Sequence, residues 1–280
     1  MRTNSNNSTK GMVFAGCSFT WGQGLYYYSN LPTLREPPPN YYVPSLLTTS
    51  QIKYMESVRY PRLVADHFKS FEMVNEGNGG SIDSIIHYWM GRFGEIAVKN
   101  QPDLYYQEYS NIIFQMTEST RTFFKFQLDG HEYEHCDTDK FQRWLELNNM
   151  DFDTWNKEHC RNLLQDVKKF LKLFESNGVK SNIIIWQDMY FDLIKEDPWL
   201  HKRFIPMEYD GVDYNSIEHL MSIDNKDEQK FNIHRDFDYF KVPPRDHHPS
   251  LFCHKVIAEN IIKRLEPTWE AQNIQDTKIH

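Results

Sequence analysis

Cysteine is scarce in this chain, with four in 280 residues: Cys17, Cys136, Cys160 and Cys253. None forms a Cys-x-x-Cys pair, which leaves zinc-ribbon and dithiol redox motifs without support. Four cysteines in a chain this long are no disulfide framework, and reduced thiols in a cytoplasmic setting are the simplest reading. Long apolar runs are missing too. No stretch approaches the ~18 residues of a membrane-spanning helix. The polar segment Met1–Lys10 lacks the apolar stretch of a secretory signal. Positive charge is in deficit, with 31 Lys and Arg against 39 Asp and Glu, a net charge of −8. That balance argues against a general nucleic-acid binder, which needs a basic stripe, and against attraction to anionic membranes. Phosphate fingerprints are absent: there is no G-x-x-x-x-G-K-[ST], and no G-x-G-x-x-G after the first apolar run. Nor is there an internal repeat, or a low-complexity tract beyond Pro37-Pro38-Pro39.

Aromatic residues, by contrast, make up 15% of the chain, and they offset a hydrophobic fraction of only 40%. Each buries a large area, so a core is within reach. The length suits one α/β domain, residues 1–280, carrying insertions.

Four short apolar runs read as buried parallel strands: Gly11–Ala15, Phe71–Val74, Asn111–Gln115 and Asn182–Trp186. Each is bounded by polar or small residues. A weaker fifth is expected at Phe204–Met207. Helical patterns fall between them, at Tyr60–Phe68, at Ser81–Met90 with Ser81 as N-cap, and from about Arg161 to Glu175. This last carries the stripe Leu163, Leu164, Val167, Phe170, Leu171 and Phe174, and stops at Asn177-Gly178. A closing helix is expected over about Leu251–Leu265. Strands alternating with helices imply a parallel sheet covered on both faces. Ligand sites in such sheets lie at the carboxyl ends of the strands. Residues 25–59, 122–159 and 209–244 do not fit the scaffold and read as insertions over that edge.

The residues after each strand therefore carry the chemistry. The first strand runs into Gly16-Cys17-Ser18-Phe19-Thr20-Trp21-Gly22, which presents a hydroxyl among small residues. Serine is a weak nucleophile at neutral pH and needs an adjacent base. The second strand runs into Asn75-Glu76-Gly77-Asn78-Gly79-Gly80-Ser81, whose glycines let backbone N–H groups approach a ligand closely. Asp246-His247-His248-Pro249-Ser250 stands just before the closing helix. A carboxylate two residues before a histidine suits the task of orienting its ring.

Gly-x-Ser-Phe-Thr near the start, Asn-x-Gly-x-x-Gly after the second strand and Asp-x-His-Pro-Ser before a final helix together resemble the SGNH/GDSL hydrolases. The resemblance covers roughly residues 11–120 and 180–265. It implies a flavodoxin-like three-layer α/β/α sandwich with a central parallel sheet of about five strands. It also implies a cofactor-free serine esterase acting on a small acyl ester, with an O-acetylated carbohydrate favoured. Ser18 would be the nucleophile, His248 the base and Asp246 its orienting carboxylate. The backbone N–H groups of Ser18 and Gly80 would form the oxyanion hole. The sequence departs from that pattern in three places. Cys17 replaces the usual Asp. The third block, Gln115-Met116-Thr117-Glu118-Ser119-Thr120-Arg121, has no Asn, so Thr117 is the available hydroxyl donor and Arg121 a cation within reach. Asp246 lies two rather than three residues before the histidine. Trp21 and Arg121 are candidate substrate contacts.

Other readings stay open. His234, Asp236, Asp246, His247, His248 and His254 could ligate a metal, although their spacing matches no standard motif. His254 reads better as structural. Tyr26, Tyr27, Tyr28, Tyr41 and Tyr42 suit either sugar stacking or a satellite core, the latter slightly favoured. The departures also motivate a catalytically weakened scaffold that binds carbohydrate or serves in a larger assembly. Phage-encoded relatives with similarly degenerate middle blocks make a virion role one form of that alternative.

Overall fold

A computed structural model of the chain describes residues 10–22, 25, 28, 47–75, 80–100, 108–122, 124–134, 137–222, 231 and 248–278. Its centre is a parallel sheet of four strands: β1 (Gly11–Ala15), β2 (Glu72–Val74), β3 (Tyr109–Met116) and β4 (Lys180–Ile185), in spatial order β2-β1-β3-β4. All eight residues of β3 and all five of β1 are buried. Apolar runs of this kind form strands that are covered on both faces. The register is continuous across the middle of the sheet, with Phe14 beside Ile113 and Phe114 beside Ile183.

The expected fifth strand is reduced to one parallel bridge, between Ile183 and Phe204, on the free side of β4. Met207 instead begins a small antiparallel hairpin, Met207–Tyr209 with Val212–Tyr214, turned at Asp210-Gly211. With Phe204 counted in fifth place, the spatial order is the flavodoxin-like one.

Helices cover both faces, so the architecture is a three-layer α/β/α sandwich. We number the helices in chain order: α1 (Ser18–Trp21), α2 (Thr49–Val58), α3 (Tyr60–His67), α4 (Ile82–Asn100), α5 (Thr138–Leu147), α6 (Phe152–Ser176), α7 (Met189–Glu196), α8 (Pro198–His201), α9 (Ile217–Ser222) and α10 (Leu251–Lys278). One face carries α3 and α10, packed on each other, and Tyr60 meets Phe14 edge-on. The other carries α4 and α6, where Phe170 meets Phe114.

The α6 stripe read from the sequence is buried along its length, and each such side chain contributes roughly 1.5–3 kcal/mol. The helix nonetheless starts at Phe152, nine residues earlier than its apolar stripe suggests. Asp151 caps it by accepting from the Thr154 N–H at 2.8 Å, and Trp155 and Asn156 are buried in its first turns. Ser81 caps α4 as expected, accepting from the Ser84 N–H at 3.1 Å.

The described residues of the 122–159 insertion form a small unit. A hairpin, Lys125–Leu128 with His131–Glu134, packs with α5 around Phe126, Leu128, Phe141, Leu145 and Trp155 as a core of its own. A third cluster gathers Leu25, Tyr28 and Met55, with Trp21 packed against it. Of the tyrosines weighed as sugar platforms, Tyr28 is therefore in a satellite core. Tyr26, Tyr27, Tyr41 and Tyr42 lie outside the described residues.

Candidate active site

The adjacent strands β1 and β3 are where the strand order reverses, and a doubly wound sheet opens a crevice at the carboxyl ends of such a pair. Gly16, Cys17 and Ser18 follow β1, and Thr117 follows β3. Their close packing explains the residue types. A Cβ on Gly16 would collide with Thr20 Oγ1 and come within 3.0 Å of Gln115 Cβ. Asn75, just after β2, holds the Gly16 peptide from both sides. Its Oδ1 accepts from the Gly16 N–H at 2.9 Å and its Nδ2 donates to the Gly16 carbonyl at 2.6 Å. The turn that aims Ser18 is thus fixed by the neighbouring strand.

Ser18 opens the short helix α1, which ends at Gly22 in a left-handed conformation with φ 89°. Arg59, at the α2–α3 junction, braces it. Its Nη1 donates to the Trp21 carbonyl at 3.2 Å and its Nη2 to Glu72 Oε1 at 2.8 Å. This ion pair is almost fully buried. Burial pushes the Glu72 carboxyl above its ordinary pKa, and the Arg59 guanidinium opposes that rise.

At the other end of the chain Ser250 caps α10. Its Oγ accepts from the Cys253 N–H at 3.1 Å, and Pro249 enters the cap. Two residues earlier, the His248 ring lies against Phe19, with centroids 4.9 Å apart. Its Nε2 stands 3.2 Å from Ser18 Oγ. Ser18 is 2% exposed and His248 8%. Phe19 stacks on Trp186, the residue after β4, at 3.8 Å between centroids. The ends of three central strands and the start of the last helix therefore meet around one hydroxyl.

Beneath Ser18 the polar side chains are uncharged. Tyr60 OH donates to Thr20 Oγ1 at 2.8 Å, and Thr20 Oγ1 donates to Gln115 Oε1. Gln115 Nε2 points at Cys17 Sγ, 3.6 Å away. Burial pushes the Cys17 thiol up, although the charge of Arg121 pulls the other way. Cys17 is thus a buried neutral filler where the resemblance expects Asp, and not a reactive thiolate. Thr117 is fully buried, and its Oγ1 has no hydrogen-bond partner among the described residues.

His254, on α10, is also fully buried. Its Nδ1 accepts from the Tyr60 N–H at 3.2 Å, which fixes a neutral ring. Burial, with smaller contributions from His248 and Arg59, pushes its pKa down to about 3.

The remaining sequence candidates fall as follows. Arg121 pairs with Glu118 at 3.0 Å, and its guanidinium lies over the Phe19 ring at 5.5 Å. Trp21 directs its side chain into the Leu25–Met55 cluster. Gly80 immediately precedes the capped start of α4, and a Cβ there would press on Ile85 Cγ1 at 2.9 Å. Asp246 lies outside the described residues, as do His234, Asp236 and His247. Among the described residues no group of three or more His, Cys, Asp or Glu could hold a metal ion. None of the described helices is long and apolar enough to cross a membrane.

Sequence reasoning missed Arg59 and Trp186 as parts of this site, and named Asn75 in the second block without its task of holding the Gly16 peptide. The signal for Asn75 was its place directly after a strand. Arg59 gave none, because its partners lie 13 and 38 residues away.

No protein-family model matches the sequence, and no curated protein matches it. Among solved structures, one described as a carbohydrate esterase whose active site displays divergent catalytic and non-catalytic binding functions is similar. The TM-score is 0.43 and the sequence identity 14%, over 92% of this chain and 68% of that one. At that score and identity the likeness says nothing about what this chain does.

Proposed function

We propose that this chain is a serine hydrolase of the SGNH type that cleaves a small acyl ester. The observation that carries the reading is the 3.2 Å approach of His248 Nε2 to Ser18 Oγ at the sheet's switch point. A nucleophile and base within hydrogen-bond reach are what acyl transfer requires. In the productive tautomer Nε2 is unprotonated and accepts the Ser18 hydroxyl proton. Nδ1 then carries a proton, and Asp246 is the proposed acceptor that holds the ring.

Ser18 Oγ attacks the ester carbonyl carbon as its proton passes to His248. The carbonyl oxygen becomes an oxyanion. The N–H groups of Ser18 and Gly80 and the Thr117 hydroxyl are its proposed donors. His248 returns the proton to the leaving alkoxide, and an acyl-serine remains. Water, deprotonated by His248, then attacks the acyl carbon and releases the carboxylic acid and Ser18. Phe19 and Trp186 fill the space beside the nucleophile, which suits a group as small as acetyl. An O-acetylated carbohydrate is the favoured substrate.

The test is labelling with a fluorophosphonate probe, alongside hydrolysis of an activated acetyl ester. The parent should label and turn over. Ser18→Ala and His248→Ala should lose the label and at least ~10³-fold in kcat. A well-folded parent that takes no label sinks the esterase reading. It would favour the binding scaffold, and soluble acetylated glycans would then be screened as ligands.

A further inference from the structure

A cavity of about 650 Å³ opens at the opposite end of the sheet, a size typical of small-molecule sites. It lies at the amino ends of β3 and β4. Asn111 marks that end of β3 and Thr117 follows the other. Six residues of strand put the cavity roughly 20 Å from the candidate active site.

Its walls carry Lys180, Lys202, Arg203 and Arg264 against one carboxylate, Glu175. In a chain of net charge −8, such a concentration of cations is out of character. The carboxylate is also fully committed. Glu175 accepts two bonds from Arg203, both at 2.6 Å, and one from Ser181 Oγ at 2.5 Å. Arg203 in turn stacks on Trp199 and donates to its carbonyl at 2.9 Å. That corner is a fixed, neutralised wall. Among the described residues neither Lys202 nor Arg264 forms an ion pair. Arg264 donates to the Lys202 carbonyl, through Nη2. Burial pushes the half-buried Lys180 ammonium below its ordinary pKa.

The floor is polar but uncharged. Asn111 and Asn182, both nearly fully buried, line it. Asn111 Nδ2 donates to Ser110 Oγ at 3.2 Å, while its Oδ1 has no donor among the described residues. Swapping the amide's two ends would leave the other end unmatched. Val179, Leu265 and Pro267 give the cavity an apolar side.

We propose that this cavity is a second binding site, for a small phosphorylated sugar or polyol. The cations take a doubly charged phosphate monoester. The Asn floor takes hydroxyls, and the apolar side takes the carbon face of the ligand.

Calorimetric titration of the full chain with glucose 6-phosphate tests this. Binding with a Kd of ~1 mM or tighter is expected. Glucose, inorganic phosphate and gluconate should each bind at least about tenfold more weakly. The double variant Lys180→Gln/Arg264→Gln should lose about tenfold or more, and the surface variant Lys202→Gln, which carries little folding risk, several-fold. Affinity should fall as salt rises, and Ser18→Ala should bind as the parent does. Four results would overturn the proposal. They are no binding at 10 mM (about tenfold above the expected Kd), gluconate or phosphate binding as tightly as the sugar phosphate, affinity unchanged in Lys202→Gln, and affinity lost in Ser18→Ala.

Discussion

At the carboxyl ends of β1 and β3 most of the buried polar groups are uncharged: Ser18, Thr20, Gln115, Thr117, and His254 held neutral. At the amino ends of β3 and β4 the polar groups are long cations around an open cavity. The two edges, with β3 common to both, thus present two environments. In the first, neutral groups line the buried space and the nearby charges are paired, Arg59 with Glu72 and Arg121 with Glu118, so that on the proposed reading an oxyanion and an imidazolium formed there would meet little water, where electrostatic interactions are strong. The second keeps Lys202 and Arg264 in contact with solvent, where their charges cost little and can recognise an ion. The two ends of β3 thus lie in different surroundings, which on the proposals above suit reaction at one and recognition at the other.

The largest effect should come from breaking the buried Arg59–Glu72 pair beneath the carboxyl edge. Arg59→Met leaves Glu72 with only the more distant Arg62, at 3.6 Å, and removes the brace on α1. Losing one partner of a buried pair costs about 3–5 kcal/mol, to be read as a fall in chemical-denaturation stability. If the loss is under about 1 kcal/mol, the carboxyl edge tolerates an uncompensated charge and the contrast fails.

Thr117→Val comes next. As an oxyanion donor, the Thr117 hydroxyl is worth about 2.7–4 kcal/mol of barrier, or 10²–10³ in kcat. Stability should hold or rise, because the hydroxyl it removes is buried without a partner. Unchanged kcat would remove Thr117 from the oxyanion hole.

His254 gives a smaller, pH-dependent effect. Its pKa is about 3 in the folded chain against an ordinary 6.5. Below 6.5 the unfolded chain takes up a proton that the folded chain refuses. Stability is therefore fully present above pH 6.5 and falls as pH drops towards 3, by about 1.4 kcal/mol per pH unit at most. Urea midpoints at pH 7 and 4.5 should converge in His254→Gln relative to the parent. Parallel shifts in both proteins would assign the acid limb to other groups. Smallest of all, Lys202→Gln at the amino edge should change stability by less than about 0.5 kcal/mol. A thermal-unfolding shift beyond that would mean the cations there are structural.

Much of this was legible before any coordinates. Four apolar runs bounded by polar residues located the strands to within two residues. The rule that sites gather at strand ends placed Ser18 and Thr117 at one edge. What escaped was non-local. Phe204 reads like a strand but finds only a single bridge, because Met207 pairs forward with Tyr214 instead. The first turns of α6 bury Trp155 and Asn156 against the inserted hairpin and the Ser119 turn, so their apolar face has no counterpart in the stripe that follows. Asn75 grips a peptide 59 positions away, and no local pattern encodes such a partner.

Ser18 and His248 are separated by 230 positions in the chain. At about 5–20 residues per second, a ribosome needs roughly 10–50 s to travel from one to the other. During that interval the nascent sheet holds a serine with no base beside it. The geometry appears only when α10 docks onto α3 and carries His248 into place, so on the proposed reading a growing or truncated polypeptide lacks its base. Separate fragments carrying the two halves should be inert alone and regain the pair only by reassembling, which makes this arrangement a natural place to divide the chain into a conditional enzyme.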